Sequence, residues 1–328
     1  MVLVTGASGF LGQHLVRYLS AQGKAVRALY FNHPPKESLI NLSGVDWRPC
    51  NLLDVFDIEE CILGITQIYH CAAIVNFAPE KRTEMLHFNV ESTINIINAA
   101  LQHNIEKFAY ISSTAAIGRQ ADTSKEVSEE ESWGESTFNS AYGISKYLAE
   151  TEVWRGIGEG LNGVIINPGI ILGAGNWQDG SAAIMNIAYK EFPFYTKGIT
   201  SWVDVEDVVR IIYMLMESNR NSERYLVSSG NYTFKDVITL MANALNKKPP
   251  HIYANSFLTG IVWRWYLLLS FIGKKEIPIT KETSISAHSN TLFNNQKLLK
   301  HFPDFQYKPI KQTIEQMANV FLTEKNKK

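Results

Sequence analysis

The sequence predicts an α/β protein, a doubly wound parallel sheet followed by a smaller, mainly helical C-terminal lobe. Three observations predict it. Short apolar runs alternate with segments of helical apolar spacing through the first half, and a glycine-rich turn joins the first run to the first helix. Beyond about residue 170 strand signals thin out while helical ones continue. At roughly 150 residues per unit, 328 residues suggest about two units. We divide them at 1–170 and 171–328, with some later segments returning to the first core.

Val2–Thr5 is the first strand, and Leu11, Leu15 and Leu19 mark a helix that Gly23 stops. Val26–Phe31 and Val45–Arg48 read as strands, Asp54–Leu63 as a helix, Ile68–Ala73 as a strand and Met85–Leu101 as a long helix. Phe108–Ser112 is a fifth strand, followed by a polar loop to Asn139, a helix over Ala141–Ile157 and a strand at Gly163–Ile166. Strands separated by helices must run parallel, because parallel neighbours need a crossover. In the second half, helices are expected at Asp204–Met216, Thr233–Leu245, Phe257–Phe271 and Ile310–Leu322. Thr233-Phe234-Lys235-Asp236 has the pattern of a capping box. Short strands around Ser201–Val203 and Arg224–Val227 complete this lobe, placed over the carboxyl ends of the parallel strands, where open α/β sheets bind ligands.

Composition excludes other classes. A net charge of −1 lacks the basic footprint of a nucleic-acid-binding protein, and 11% aromatic residues argue against disorder. Cys50, Cys61 and Cys71 offer neither CxxC spacing nor an even count, which suggests a reducing compartment. The chain opens directly into a strand, so we expect a cytoplasmic protein without a signal peptide. The histidines show no zinc-ligand spacing, and no metal is expected. Asp204 and Asp207 suit the positive end of a helix better than catalysis.

Gly6, Gly9 and Gly12 form GxxGxxG between strand and helix. Glycines there permit a tight turn, close approach of backbone to a pyrophosphate and close helix–strand packing, while the helix N-terminus supplies free N–H groups. The setting predicts a dinucleotide site. After the second strand comes Tyr30-Phe31-Asn32-His33, without the acidic residue that holds the ribose of NAD. Arg27 and Lys36 are the nearest cations, which favours NADP over NAD. Tyr142 and Lys146, at i and i+4, share one side of a helix. A cation near a phenol favours its ionised form, which suits acid–base catalysis. Ser112-Ser113-Thr114 sets hydroxyls at the end of the fifth strand.

With these motifs the chain resembles an extended short-chain dehydrogenase/reductase of the NAD-dependent epimerase/dehydratase superfamily. The resemblance rests on TGASGFLG (5–12), Asn51-Leu52-Leu53-Asp54, His70-Cys71-Ala72-Ala73, Asn89-Val90, SSTAAIG (112–118), YxxxK, Asn167-Pro168-Gly169 and Trp202-Val203-Asp204-Val205. It implies a Rossmann-type fold and a set of roles. Tyr142 would exchange a proton with the substrate oxygen, and Lys146 would hold the nicotinamide ribose and lower the Tyr pKa. Thr114, or alternatively Ser113, would hydrogen-bond the substrate carbonyl. Gly6, Ser8, Gly9, Phe10, Leu11 and Gly12 would bind the cofactor, with Lys36 beside its 2′ position and Asn51 and Leu52 at the adenine. Asn51 departs from the usual Asp. Ala72, Ala73 and Asn89 would line the cofactor and the site behind it, and Pro168 and Gly169 would flank the nicotinamide. A homodimer through a two-helix face is expected by analogy alone.

The resemblance points to the dihydroflavonol-reductase and 3β-hydroxysteroid-dehydrogenase-like branch, an oxidoreductase acting on a carbonyl or alcohol of a small apolar molecule. Ala115-Ala116 follow Thr114 where sugar-nucleotide dehydratases carry an acid–base pair, and Ile117 precedes Gly118 where epimerases carry an aromatic residue. Asn167 and Ile170 replace the Arg and Asn with which those epimerases grip a diphosphate. The alternatives are a nucleotide-sugar epimerase using Lys190, Lys197, Arg210 or Arg224, and a redox sensor that binds NADP without turnover. The segment Ser256–Gly273 offers about 15 residues between polar ends, too few to span a membrane, and Arg264 interrupts its middle. Three readings stay open for it: a buried helix, a membrane or partner contact, or a roof whose Trp263, Trp265, Tyr266 or Phe271 lines an apolar pocket.

Overall fold

The computed structural model describes residues 1–117, 125–134, 139–270 and 280–326, without the side chains of 265–270. The strands in chain order are β1 (Val2–Thr5), β2 (Val26–Tyr30), β3 (Val45–Pro49), β4 (Gln67–His70), β5 (Lys107–Ile111), β6 (Gly163–Pro168), β7 (Ile170–Leu172), β8 (Phe194–Tyr195), β9 (Ile199–Asp204), β10 (Glu223–Val227), β11 (Gly230–Thr233) and β12 (Ile252–Tyr253). The first-half helices are α1 (Phe10–Ala21), α2 (Glu37–Ile40), α3 (Val55–Ile62), α4 (Arg82–Gln102) and α5 (Ala141–Gly158). Then come α6 (Ala183–Tyr189), α7 (Val205–Glu217), α8 (Phe234–Ala244), α9 (Ser256–Ser270), α10 (Lys281–His288), α11 (Gln296–His301) and α12 (Ile310–Lys325).

Among the described residues the main sheet has seven parallel strands in the order β10-β6-β5-β4-β1-β2-β3. This is a Rossmann-type doubly wound sheet. Its inner strands β1, β5 and β6 are nearly continuous apolar runs because both faces are covered. Val2 and Val4 face the layer of α1 and α7, whereas Leu3 faces the opposite core. Ala109 and Ile111 alternate with Phe108 and Tyr110 in the same way. The strand expected in the C-terminal lobe at Arg224–Val227 is β10, which pairs parallel with β6 and so belongs to the main sheet. Its Tyr225 and Val227 complete the α1–α7 core, a pairing that local pattern could not indicate.

A second sheet, β11-β9-β7, carries α6, α8 and α12 around Trp202, Val237, Met241, Ile314 and Phe321. Thr233 caps α8 by accepting from Asp236 N at 3.0 Å, but the expected capping box does not close. The Asp236 carboxylate, one methylene shorter than Glu, instead accepts the Thr233 hydroxyl at 2.6 Å. Asp204 caps α7 through Glu206 N at 2.7 Å and also accepts from Thr313 and Lys308. Among the described residues, no helix is long and apolar enough to cross a membrane.

The sheet order reverses at β1 and β4, whose carboxyl ends lie side by side with Thr5 opposite His70. That crevice is where open α/β sheets bind ligands.

Candidate active site

Gly6 leaves β1 with φ +62°, and a Cβ on it would lie 2.7 Å from Ala72 Cα. Only glycine allows both this conformation and so close an approach of the two loops. On Gly12 a Cβ would lie 2.1 Å from the Gly6 carbonyl oxygen, so the first turn of α1 presses directly on the loop. Gly9 is the N-cap of α1, brings no capping side chain, and no acidic residue follows in the first turn. The N–H groups of Phe10, Leu11 and Gly12 therefore present the open positive end of the helix toward the crevice. This bare cradle fits a dinucleotide pyrophosphate. Gly12→Ala should cost about 1–3 kcal/mol in stability and abolish tight dinucleotide binding. Urea unfolding and a fluorescence titration with NADPH would check both.

Behind the loops runs a chain of hydrogen bonds whose protons can be assigned. Ala72 N–H donates to Thr5 Oγ1, which pairs with His70 Nδ1 at 2.8 Å. On the far side His70 Nε2 pairs with Thr93 Oγ1 at 3.1 Å, and Thr93 donates to the Asn89 carbonyl. Since the Thr93 proton is used on Asn89, His70 Nε2 must carry the other, leaving Nδ1 to accept from Thr5. Burial pushes the His70 pKa down to about 3, so the ring stays neutral. The Asn89 side chain then brackets Ile74 (2.7 Å from its N–H, 3.0 Å to its carbonyl) and donates to Ser145 Oγ at 2.9 Å. Ser145 in turn donates to the Tyr142 carbonyl. Thus Asn89 ties the β4 loop to the Tyr142 helix, and β4 ends at His70 so that Cys71–Ala73 can turn against Gly6.

Tyr142 and Lys146 sit in the first two turns of α5, which Ser140 caps. Ser113 stands close enough to the Tyr142 phenol to favour its ionised form, and Phe77 packs edge-on against its ring at 6.0 Å. Tyr142, Ser113 and the buried Thr114 are thereby gathered at the carboxyl end of β5. The direction of the Tyr142 pKa corrects the expected one. Burial pushes it up to about 12, with only Ser113 opposing. Lys146 does not oppose the burial, because its Nζ turns elsewhere: it donates to the Ile111 carbonyl at 2.6 Å and lies 4.3 Å from the centre of the Tyr110 ring. Burial brings Lys146 itself down to about 7, with Glu150 opposing.

Glu150, unforeseen from sequence, is the centre of a buried cluster one turn beyond Lys146. It accepts from Ser112 Oγ at 2.6 Å, Asn167 Nδ2 at 2.9 Å and Arg224 at 3.2 Å. Arg224 also donates to the Glu129 and Glu131 carbonyls, at 2.6 Å each. The i, i+4, i+8 series Tyr142–Lys146–Glu150 is the signal that could have found it.

The remaining expected residues divide by environment. Ser8, Ala72 and Ala73 are half-buried along the crevice, while Pro168 is buried at the end of β6. Gly169 has a packing reason of its own, since a Cβ there would lie 2.2 Å from Ser201 Oγ. Asn51 Oδ1 accepts from Leu53 N at 3.1 Å, and the Leu52 carbonyl accepts from Asn95. Lys36 is exposed ahead of α2, and Arg27 is spent elsewhere, on Asp46 and the carbonyls of Cys61 and Leu63. Gly118, Phe271 and the side chains of Trp265 and Tyr266 lie outside the described residues.

Residues 2–228 match the family model described as NAD dependent epimerase/dehydratase family. A putative dihydroflavonol 4-reductase of Synechocystis is 28% identical over 253 residues, covering 75% of this chain and 73% of that one. Cinnamoyl-CoA reductase 1 of Petunia hybrida is 29% identical over 264 residues, 76% of this chain and 78% of its own. The fold is shared with UDP-glucose 4-epimerase of Thermus thermophilus, solved in complex with NAD, at TM-score 0.76 and 22% identity over 98% of both chains. The glycine cradle at the switch point, the Tyr–Lys helix beside it and the match over residues 2–228 lead to one conclusion: the chain belongs to the NAD-dependent epimerase/dehydratase family and is an enzyme of the extended short-chain dehydrogenase/reductase type.

Proposed function

We propose that the enzyme moves a hydride between a nicotinamide cofactor and the carbonyl or alcohol carbon of a small, mainly apolar molecule, with Tyr142 handling the proton at the oxygen. The observation that carries this reading is the orientation of Asn167. It stands where the epimerases' arginine would be, is fully buried, and donates to Glu150 and to the Ser113 carbonyl. It faces the core and not a diphosphate. Two cations that an epimerase could have recruited are likewise engaged, Arg224 on Glu150 and Arg210 on Asp207 with its guanidinium over Phe305. Phe77 packs against the Tyr142 ring and the Ala115 backbone lies close to Gly143 beside it, a setting suited to an apolar substrate with few polar anchors. The reductase names of the two relatives support the same branch.

When bound, the nicotinamide supplies or accepts the hydride. The chain does the rest. The α1 N-terminus would hold the pyrophosphate, Asn51 and Leu52 would take the adenine side, Ala72 and Ala73 would line the crevice, Pro168 and Gly169 would flank the nicotinamide, and Lys146 would hold the ribose. Thr114 or Ser113 hydrogen-bonds the carbonyl oxygen. In reduction, Tyr142 gives its proton to that oxygen as the carbon receives the hydride, and the product is the alcohol. In oxidation the same phenol oxygen takes the proton back. A homodimer would use the α4–α5 pair, where Leu148 and Trp154 of α5 are exposed. The test is NADPH oxidation with a series of apolar aldehydes and ketones, run beside epimerisation of a UDP-sugar. Epimerisation without carbonyl reduction would overturn the reading.

NADP is the cofactor we favour. No carboxylate stands between β2 and Glu37, and with Arg27 consumed, Lys36 is the cation beside this end of β2 that no described ion pair engages. Lys36→Glu should weaken NADPH by about tenfold and leave NADH nearly unchanged, since one charge-assisted phosphate contact is lost. Parallel titrations with both cofactors measure it, and equal losses for the two would remove Lys36 from the 2′ site.

A further inference from the structure

The apolar segment singled out in the sequence is neither wholly buried nor a span. On its described part, α9 turns Thr259 inward, bonded to His288 Nε2 and to Ser284 of α10, both at 3.0 Å. The opposite side carries Phe257, Leu258 and Ile261 in the open, with Phe257 76% and Ile261 51% exposed. The apolar surface continues back along the chain. Ile252 and Tyr253 of β12 are exposed, β12 pairs with β8, and beside β8 lie exposed Phe192 and Ile187, joined by a bond from Phe192 N to the Ile187 carbonyl. Such a run of free aliphatic and aromatic side chains is unusual on a protein that meets only water.

Its charges are one-sided. Residues 187–197 and 247–264 hold Lys190, Lys197, Lys247, Lys248 and Arg264 against a single carboxylate, Glu191, in a chain of net charge −1. Glu191 accepts from the Lys248 backbone N–H. Arg264 folds back to the Gly260 carbonyl at 2.8 Å and over the Trp263 ring, which sets a cation beside the Phe257–Ile261 stripe. Apolar and aromatic groups framed by lysines are what binding in the plane of an anionic bilayer requires: side chains that enter the acyl boundary and cations that meet the headgroups. A second copy of the chain fits poorly, because a two-fold contact would set these cations against themselves.

We propose that the face formed by α9, β12 and the α6–β8 turn docks on an anionic lipid surface. The face is coupled to the catalytic helix, since α10, on which α9 rests, has Glu282 accepting from Ala141 N at the start of α5. A bilayer-bound enzyme would thus collect a lipid-soluble substrate next to Tyr142, although docking does not depend on the substrate reading.

The experiment is co-sedimentation of the full chain with phosphatidylcholine vesicles, with and without phosphatidylglycerol, read without turnover. Binding is expected only with phosphatidylglycerol and should fall with added salt. Phe257→Asp with Ile261→Asp should abolish it, and Lys190→Glu with Lys247→Glu and Lys248→Glu should weaken it by about tenfold or more. NADPH affinity, unchanged in all variants, reports that they are folded. Failure to bind phosphatidylglycerol vesicles overturns the proposal, as does binding that survives both sets of substitutions. A wild-type dimer that Ile261→Asp splits, without vesicle binding, would make the face a protein interface.

Discussion

Tyr142→Phe should lower kcat by about 10²–10⁴-fold while NADPH affinity stays nearly unchanged, because one phenolic oxygen is removed and the ring against Phe77 is kept. The pH dependence of the parent enzyme follows from the same group. With its pKa pushed up to about 12, Tyr142 keeps its proton through neutrality, so carbonyl reduction should not lose its donor there. Alcohol oxidation needs the phenolate as base, and its share rises about tenfold per pH unit below that pKa. The oxidation rate should therefore climb with pH while reduction stays flat. Saturating cofactor is required, because Lys146, at about 7, loses its charge over the same range and would lose with it part of the grip on the ribose proposed for it. Unchanged turnover in Tyr142→Phe would refute the assignment of the proton to this residue.

Glu150→Ala should cost about 3–5 kcal/mol of stability, measured by urea unfolding, because it leaves the largely buried Arg224 without its counter-ion. Ser112 and Asn167 lose an acceptor in the same step. Glu150→Gln, which keeps an acceptor oxygen of similar shape, should cost less and serves where the alanine variant fails to fold. Either change also removes the carboxylate that sustains the charge of Lys146, so cofactor affinity should fall at neutral pH. A loss below about 1 kcal/mol in Glu150→Ala would mean that the Glu129 and Glu131 carbonyls satisfy Arg224 unaided.

The parts of the site written as local pattern were legible early. GxxGxxG followed a strand and opened a helix, and the turn has the close approaches that only glycine permits. Tyr142 and Lys146, one helical turn apart, had to share a face wherever α5 went. What could not be read was the direction of each side chain's commitment. Arg27 looked free for a 2′-phosphate, yet Asp46 on the neighbouring strand claims it. Lys146 looked set to acidify Tyr142, yet it turns to the Ile111 carbonyl, and burial dominates both groups.

The sequence by itself determined the doubly wound order of strand and helix, the cradle at the end of β1 and the Tyr–Lys pair, because these depend on spacing along a few turns of chain. Only the tertiary structure decided that β10 returns to the main sheet beside β6, bringing Arg224 to Glu150 from 74 residues away. It also decided that Asn167 faces inward and that α9 keeps Phe257 and Ile261 in the open. Those outcomes follow from which surfaces meet after the chain crosses over, and contacts between residues so far apart leave no periodicity in the sequence for a reader to find.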